Sequence, residues 1–332
     1  GIAVRVVPFN DLDCTVNNYM SQLRRWIMSI KLHDYDLVYA NTLNLFFAIH
    51  AANEEKIPSI WNIRESTIEK EAFGRISQAV AERAFKTFQY PYRIIFVAKS
   101  TRELFQNYDC SNNFAVIRNV LATNEKPNSV IAKDKLPEHK NLLLCVGTIC
   151  KRKSQREIVD AFETLPLDIL DETGLVFLGD KSSSYAKSLE SKVNTKSKIR
   201  DNVYFLGSVK NVDQWYSTAC AFVFASRNES YPRVILEAMG AGLPIVTTSV
   251  FGIKEQVVDD LNAIVYEPGE ISALADAMAR IITDKKLRER LSIGSKNILR
   301  SLGSYDKLLE KYEDIFLEAA SSSCVSKLEC VE

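Results

Sequence analysis

The chain has 332 residues, 46% apolar and 25% charged, with 42 Lys+Arg against 42 Asp+Glu and a formal net charge of zero. That length suits two globular domains, and the neutral balance excludes a whole-surface basic footprint for nucleic acid. No apolar run approaches the ~18 residues that cross a bilayer, and the three histidines (His33, His50 and His139) lie too far apart for a metal site of ordinary spacing.

In chain order, the first residues, "IAVRVVPF", already read as a buried strand, so the chain is expected to be a fragment whose true beginning lies upstream. Counting this one ("AVRVVPF"), strand-like runs lie at "YDLVYAN", "IPSIWNI", "RIIFVAKS" and "FAVIRNV" as well, with helical periodicity between them over 15–31, 43–56, 66–89 and 100–108. "TNEKPNSVIAKDKLPEHK" (123–140) interrupts the pattern with prolines and charges and reads as a connection between domains. A second series starts at Leu142: strands "NLLLCVGT", "GLVFLGD", "VYFLGSV", "CAFVFAS", "PIVTTS" and "NAIVYEP", with helices over 154–165, 183–198, 211–219, 232–241, 271–283 and 285–300. Continuous apolar strands separated by helices predict parallel sheets covered on both faces. The fold class is therefore α/β, two tandem Rossmann-like doubly wound domains. The predicted boundaries are 1–125, 126–300, a helix over 301–319 and a frayed tail over 320–332. The seven cysteines, several in apolar runs, read as reduced core cysteines of a cytoplasmic protein.

Ligands of such sheets bind beyond the carboxyl ends of the strands, which directs attention to two loops. "SRNESYPRVILEAMGAGLPIVTTS" (226–249) places Glu229 in a loop and Glu237 on the helix behind Pro232. Pro232 suits the first helical position, and the N–H groups of Arg233, Val234 and Ile235 would then form an anion site. In "VGTICKRKSQREIVDAF" (146–162), Gly147 lets the backbone turn and Lys151, Arg152 and Lys153 follow. Arg152 and Lys153 could neutralise a diphosphate. The plainer alternatives stay open at this level: a solvated loop acid, an exposed helix acid and a solvated basic run.

Together these residues resemble the retaining glycosyltransferases of family 4, which have the two-domain GT-B fold with its domains facing a cleft. The family's EX7E motif matches Glu229 to Glu237, its following pattern matches "EAMGAGLPIV", and its basic loop matches Gly147 with Arg152 and Lys153. The resemblance is specific over 141–300 and looser over 35–122. It implies transfer of a sugar, with retention, from a UDP- or GDP-linked donor to a sugar or lipid-linked acceptor, in synthesis of cell-surface polysaccharide or glycoconjugate. Glu229, Lys153 and Arg152 would do the chemistry. Glu237, Arg233, Val234, Ile235, Gly147, Gly207, Val209 and Tyr231 would hold the donor, with the base near Gly207 to Lys210. No cofactor and no metal are implied, nor any nucleic acid. The implied location is the cytoplasm, with peripheral contact at the inner membrane face where the acceptor is lipid-linked; "RRWIMSIKLH" (24–33) reads first as a packed amphipathic helix. By similarity the helix near 304–319 returns to the first domain, and a strand with a glycine-rich loop would precede Gly1.

The chain departs from the family pattern in places. "ESYP" replaces the usual EGFG, Thr148 stands where many members carry arginine, and Arg64 with Glu65 stands where a histidine is common. Arg64 is either a donor contact or a paired surface residue. Other readings are an epimerase of the same fold, a non-catalytic or inactive nucleotide-sugar-binding protein, and a dinucleotide-dependent oxidoreductase; the last lacks any GxGxxG after a strand.

Overall fold

The computed structural model describes residues 7–9, 14–67, 69–74, 76–122, 139–196 and 198–328. Most of the predicted first strand and nearly all of the predicted connection lie outside them; Val7–Phe9 carry no strand. The chain divides into two compact units, 1–118 with 306–332, and 119–305.

The first unit is built on a four-stranded parallel sheet, β1 (Val38–Asn41), β2 (Ser59–Ile63), β3 (Arg93–Phe96) and β4 (Phe114–Val116), in sequential order. Right-handed crossovers that always step the same way put their helices on one face. Alternate residues show the result. Trp61, Ile63, Ile94 and Phe96 pack with α1 (Val16–Ile30), α2 (Phe46–Glu54) and α4 (Gln78–Lys86). Ile60, Ile95 and Ile117 point the other way and are met by α13 (Tyr305–Leu328), through Tyr312, Ile315, Phe316 and the fully buried Ala319. Each large apolar side chain so covered contributes about 1.5–3 kcal/mol. Helix α1 is amphipathic, burying Tyr19, Leu23 and Ile27 at helical spacing, with Thr15 capping it through Asn18 N–H at 3.3 Å.

Some elements differ from expectation. The helix predicted over 66–89 is two helices, α3 (Glu69–Ala72) and α4, followed by a 3-10 turn. The break falls between Gly74, poor in helix propensity, and Ser77, whose hydroxyl leaves the helix to bond Cys14 O at 2.6 Å. The segment expected over 100–108 is a short α5 (Lys99–Leu104) and a 3-10 turn. Helix α13 continues to Leu328, across the first part of the stretch expected to fray. Cys145 is buried, as a core cysteine should be, but Cys110 is exposed.

The second unit has six parallel strands in the order β10-β9-β8-β5-β6-β7: β5 (Asn141–Val146), β6 (Thr173–Leu178), β7 (Val203–Gly207), β8 (Ala221–Phe224), β9 (Ile245–Thr247) and β10 (Ala263–Val265). The chain steps outward from β5 to β7, then crosses back to β8 and proceeds the other way. Neighbouring β5 and β8 are therefore the topological switch point, where successive loops part at the carboxyl ends and leave a crevice. Helices α6 (Gln155–Thr164), α7 (Leu167–Asp171), α8 (Ser184–Asn194), α9 (Val212–Thr218), α10 (Arg233–Gly240), α11 (Ile271–Thr283) and α12 (Lys285–Ser301) cover the sheet. Of these, α7 was not expected.

Candidate functional site

The basic loop leaves β5 and the acidic loop leaves β8, so the switch point brings them together. Gly147 has φ +139°, a conformation only glycine adopts without strain. A Cβ there would lie 3.0 Å from Lys153 Nζ and 3.2 Å from its Cε, so the missing side chain is the groove in which Lys153 lies. Lys151–Lys153 form a 3-10 turn, and Ser154 takes the left-handed conformation (φ 49°) before α6 begins. The cations thus sit on their own turn rather than at the positive end of α6, whose first turn carries Glu157. Gln155 pins this turn twice: Nε2 donates to Thr148 O at 3.0 Å, and Oε1 accepts from Cys150 N at 3.2 Å.

Glu229 answers from the other side. Its Oε1 accepts from Arg152 Nη1 at 2.7 Å, lies 3.1 Å from Lys153 Nζ and accepts from Ser226 Oγ at 3.2 Å. Glu229 and Lys153 are each 12% exposed and Arg152 48%. Lys153 Nζ also lies 4.8 Å above the Phe224 ring. All three donors converge on Oε1; Oε2 has no partner among the described residues. The backbone reinforces the junction, with Arg227 N donating to Arg152 O at 3.0 Å and Gly252 N to Glu229 O at 3.1 Å.

The second glutamate is set differently. Glu237 Oε2 accepts from the buried Tyr216 hydroxyl at 3.0 Å, and its Oε1 is 3.9 Å from the exposed Arg233. Burial, and then the charge of Glu237, push the Tyr216 phenol far above its ordinary pKa, so it is a permanent donor.

The helix start departs from expectation. Pro232 stands one residue ahead of α10, with ψ 125°, and its carbonyl accepts from Ile235 N at 3.3 Å and Gln256 Nε2 at 3.1 Å. The Ile235 N–H is therefore committed within the chain rather than offered to a ligand, and its side chain is fully buried. Arg233 and Val234 remain the first residues of the helix. Tyr231 is buried, its carbonyl accepting from Asn119 Nδ2 at 3.3 Å. Gly207 ends β7 with φ +70° and its carbonyl takes the Gly179 N–H at 2.8 Å; Val209 is half-buried and Lys210 exposed on the loop beyond. In the first unit, Arg64 is exposed just after β2 and its N–H donates to Glu65 Oε2 at 3.0 Å.

Sequence reasoning did not find Ser226, Tyr216 or Gln256. Ser226 left a readable mark, a polar residue closing the apolar run "CAFVFAS". Tyr216 and Gln256 left none, because their partners stand on other elements.

The profile of the family described as "Glycosyl transferases group 1" matches residues 128–298. A D-inositol 3-phosphate glycosyltransferase of Xylanimonas cellulosilytica is 29% identical over 188 residues, 55% of this chain and 44% of that protein. The lipopolysaccharide glucosyltransferase WaaG of Escherichia coli K12 is 27% identical over 184 residues, 55% of this chain and 48% of its own. The chain thus spans about half the length of the curated relatives it matches. Among solved structures, Anabaena Alr3699/HepE in complex with UDP-glucose matches with a TM-score of 0.77 at 19% identity, over 92% of this chain and 84% of that one. The shared architecture is the two-domain α/β GT-B fold. On the profile match, which covers the switch-point loops and both glutamates, the chain belongs to the glycosyl transferases group 1 family.

Proposed function

We propose that the chain transfers a sugar from a nucleoside-diphosphate donor to an acceptor hydroxyl, with retention of anomeric configuration, in the assembly of a cell-surface polysaccharide or glycoconjugate. The observation that carries this reading is the meeting of Arg152, Lys153 and Glu229 at the carboxyl ends of β5 and β8.

Breaking the glycosidic bond builds negative charge on the departing diphosphate. Preorganised donors aimed at such charge contribute about 3–4 kcal/mol each, whereas a helix start supplies about 0.3–2 kcal/mol. Lys153 is the stronger candidate because Gly147 and Phe224 fix its stem in place. Arg152, half exposed, can turn its planar fork from Glu229 to a phosphate. Arg233 and Val234 at the start of α10 are assigned to the same group. Glu229 is assigned to the hydroxyls of the transferred sugar through Oε2, with Oε1 holding the loop. Glu237 is assigned to the ribose hydroxyls and the Gly207–Lys210 loop to the base. Cationic side chains would do the work that magnesium does elsewhere.

A uracil base is the first expectation, since the Anabaena protein named above was solved with UDP-glucose. Acceptor choice is assigned to the first unit, where Leu43, Asn44, Glu65 and Phe73 line a cavity of about 390 Å³. Among the described residues no helix is long and apolar enough to cross a membrane. A lipid-linked acceptor would bring the protein to the cytoplasmic face of the bilayer, and the name of the Escherichia coli relative supports testing one.

The test is a thermal-shift screen of UDP-, GDP- and ADP-sugars, followed by transfer assays and NMR of the product anomer. A ligand at 100 times its dissociation constant stabilises by about 2.7 kcal/mol. Binding of no nucleotide sugar would refute the reading. Binding without transfer would favour a non-catalytic binder, and an epimerised donor would favour an epimerase.

A further inference from the structure

A second ion pair stands at the switch point, outside the groups assigned to the donor. Arg227 follows the buried Ser226 and donates Nε to Glu157 Oε1 at 2.8 Å, with Nη2 bonding the same oxygen. The other oxygen of Glu157 accepts from Gly269 N at 3.1 Å. One carboxylate, 12% exposed, therefore ties together the start of α6 behind β5, the loop after β8 and the loop after β10. Beneath it the Tyr266 hydroxyl is buried with no partner among the described residues, and its phenol is held up by burial and then by the charge of Glu157. Glu157 is largely shielded but Arg227 is 55% exposed, so the charge-assisted pair is partly screened by water.

The two halves of the site depend on this pair unequally. The basic turn keeps its shape through Gln155, which bonds Thr148 O and Cys150 N without help from Arg227. The acidic loop ahead of Glu229 is held at two carbonyls, Ser226 O by Thr248 Oγ1 at 2.7 Å and Asn228 O by Arg152 Nη1 at 2.5 Å. Between them, its register on the turn rests on Arg227, whose N–H holds Arg152 O and whose guanidinium holds Glu157, and on the Ser226 hydroxyl 3.4 Å from that same carbonyl.

We infer that Glu157 and Arg227 are a positioning pair that sets the Ser226–Glu229 loop against the Arg152–Lys153 turn, fixing the grip on the donor's sugar more than on its nucleoside diphosphate. This rests on the reading of function above.

The experiment is calorimetric titration of UDP and UDP-glucose, or GDP and GDP-mannose where the donor screen selects guanine. The proteins are wild type, Glu157→Gln, Arg227→Gln and the double variant, with kcat measured alongside. In the single variants nucleotide-sugar binding weakens about tenfold and kcat falls with it, while nucleoside-diphosphate binding stays within about threefold. The double variant is no worse than either single one, the mark of a coupled pair. Arg227→Lys, which keeps one charge, regains part of the loss. Equal weakening of both ligands would assign the pair a merely structural role and overturn the inference. So would unchanged titrations in variants of a wild type that binds both ligands. A wild type that binds no nucleotide sugar overturns the functional reading, and the positioning role with it.

Discussion

Replacing Lys153 with methionine removes a charge while keeping a stem that still fits the groove at Gly147. Its ammonium lies 3.1 Å from Glu229 Oε1 and both side chains are 12% exposed. At an effective dielectric near 20, two unit charges at that separation attract by roughly 5 kcal/mol. Most of that is offset by the cost of taking both ions out of water, and Glu229 keeps Arg152 and Ser226 when Lys153 is gone. The net loss of stability is therefore about 1–2 kcal/mol, a fall in Tm of roughly 2–8 °C for a unit of this size. The loss in transfer should be far larger, about 10²–10³-fold in kcat, because the missing cation is aimed at charge that grows only as the bond breaks. Donor turnover followed by nucleotide release, beside a melting curve, separates the two. Lys153→Met turning over within about threefold of wild type would refute the assignment. A collapse in Tm that accounts for all lost activity would reduce Lys153 to a structural cation.

Three further outcomes are expected. Gly294→Ala should destabilise the second unit by about 2–4 kcal/mol in chemical denaturation, because a Cβ there would sit 1.8 Å from Leu261 O and α12 would have to back away. Burial lowers the His50 pKa below 6.5, with nearby Arg83 lowering it further and Glu54 opposing. The unfolded chain then takes up the proton first, so this contribution is present above about pH 6.5 and is lost as pH falls below it. Wild type should melt lower at pH 5.5 than at 7.5, and His50→Gln should flatten that part of the slope. Finally, transfer should survive EDTA within about twofold if side-chain cations alone neutralise the diphosphate; a loss beyond tenfold, restored by magnesium, would overturn that expectation.

Much of the second unit was legible because its strands are continuous apolar runs and its loops begin where those runs stop. "NLLLCVGT" and "CAFVFAS" each end at the residue from which the chain turns toward the site. Other features depend on partners that local pattern does not record. Periodicity alone did not break the helix over 66–89, where the weak helix former Gly74 is followed by Ser77, whose hydroxyl bonds Cys14, 63 positions earlier. The Arg227–Glu157 pair spans 70 positions and Tyr216–Glu237 spans 21. In both, each residue alone looks like an ordinary polar or aromatic side chain.

The spacing of Glu229 and Glu237 nonetheless has a physical account that neither sequence nor motif supplies. Glu229 needs a loop because three donors from two segments must reach a single oxygen, and a helix would fix its side chain against its own axis instead. Glu237 needs a helix because its partner, Tyr216, is fixed in α9, and only a rigid element keeps the carboxylate over a buried phenol that never ionises in the working range. Each acid thus spends one oxygen on the scaffold: Oε1 of Glu229 on the loop junction and Oε2 of Glu237 on Tyr216. A carboxylate already oriented by one oxygen loses little further freedom when the other meets a hydroxyl, so less entropy opposes binding. Tyr216→Phe tests this directly, since it leaves the charge of Glu237 in place and removes the orienting hydroxyl, whose other contact is the Val234 carbonyl at 3.4 Å. Nucleotide binding should weaken by about three- to tenfold, because Tyr216 acts only through the orientation of Glu237 and so forfeits part of the roughly 1.5–3 kcal/mol that a hydrogen bond to a charged group contributes. Unchanged affinity would mean that Glu237 is oriented by the helix alone.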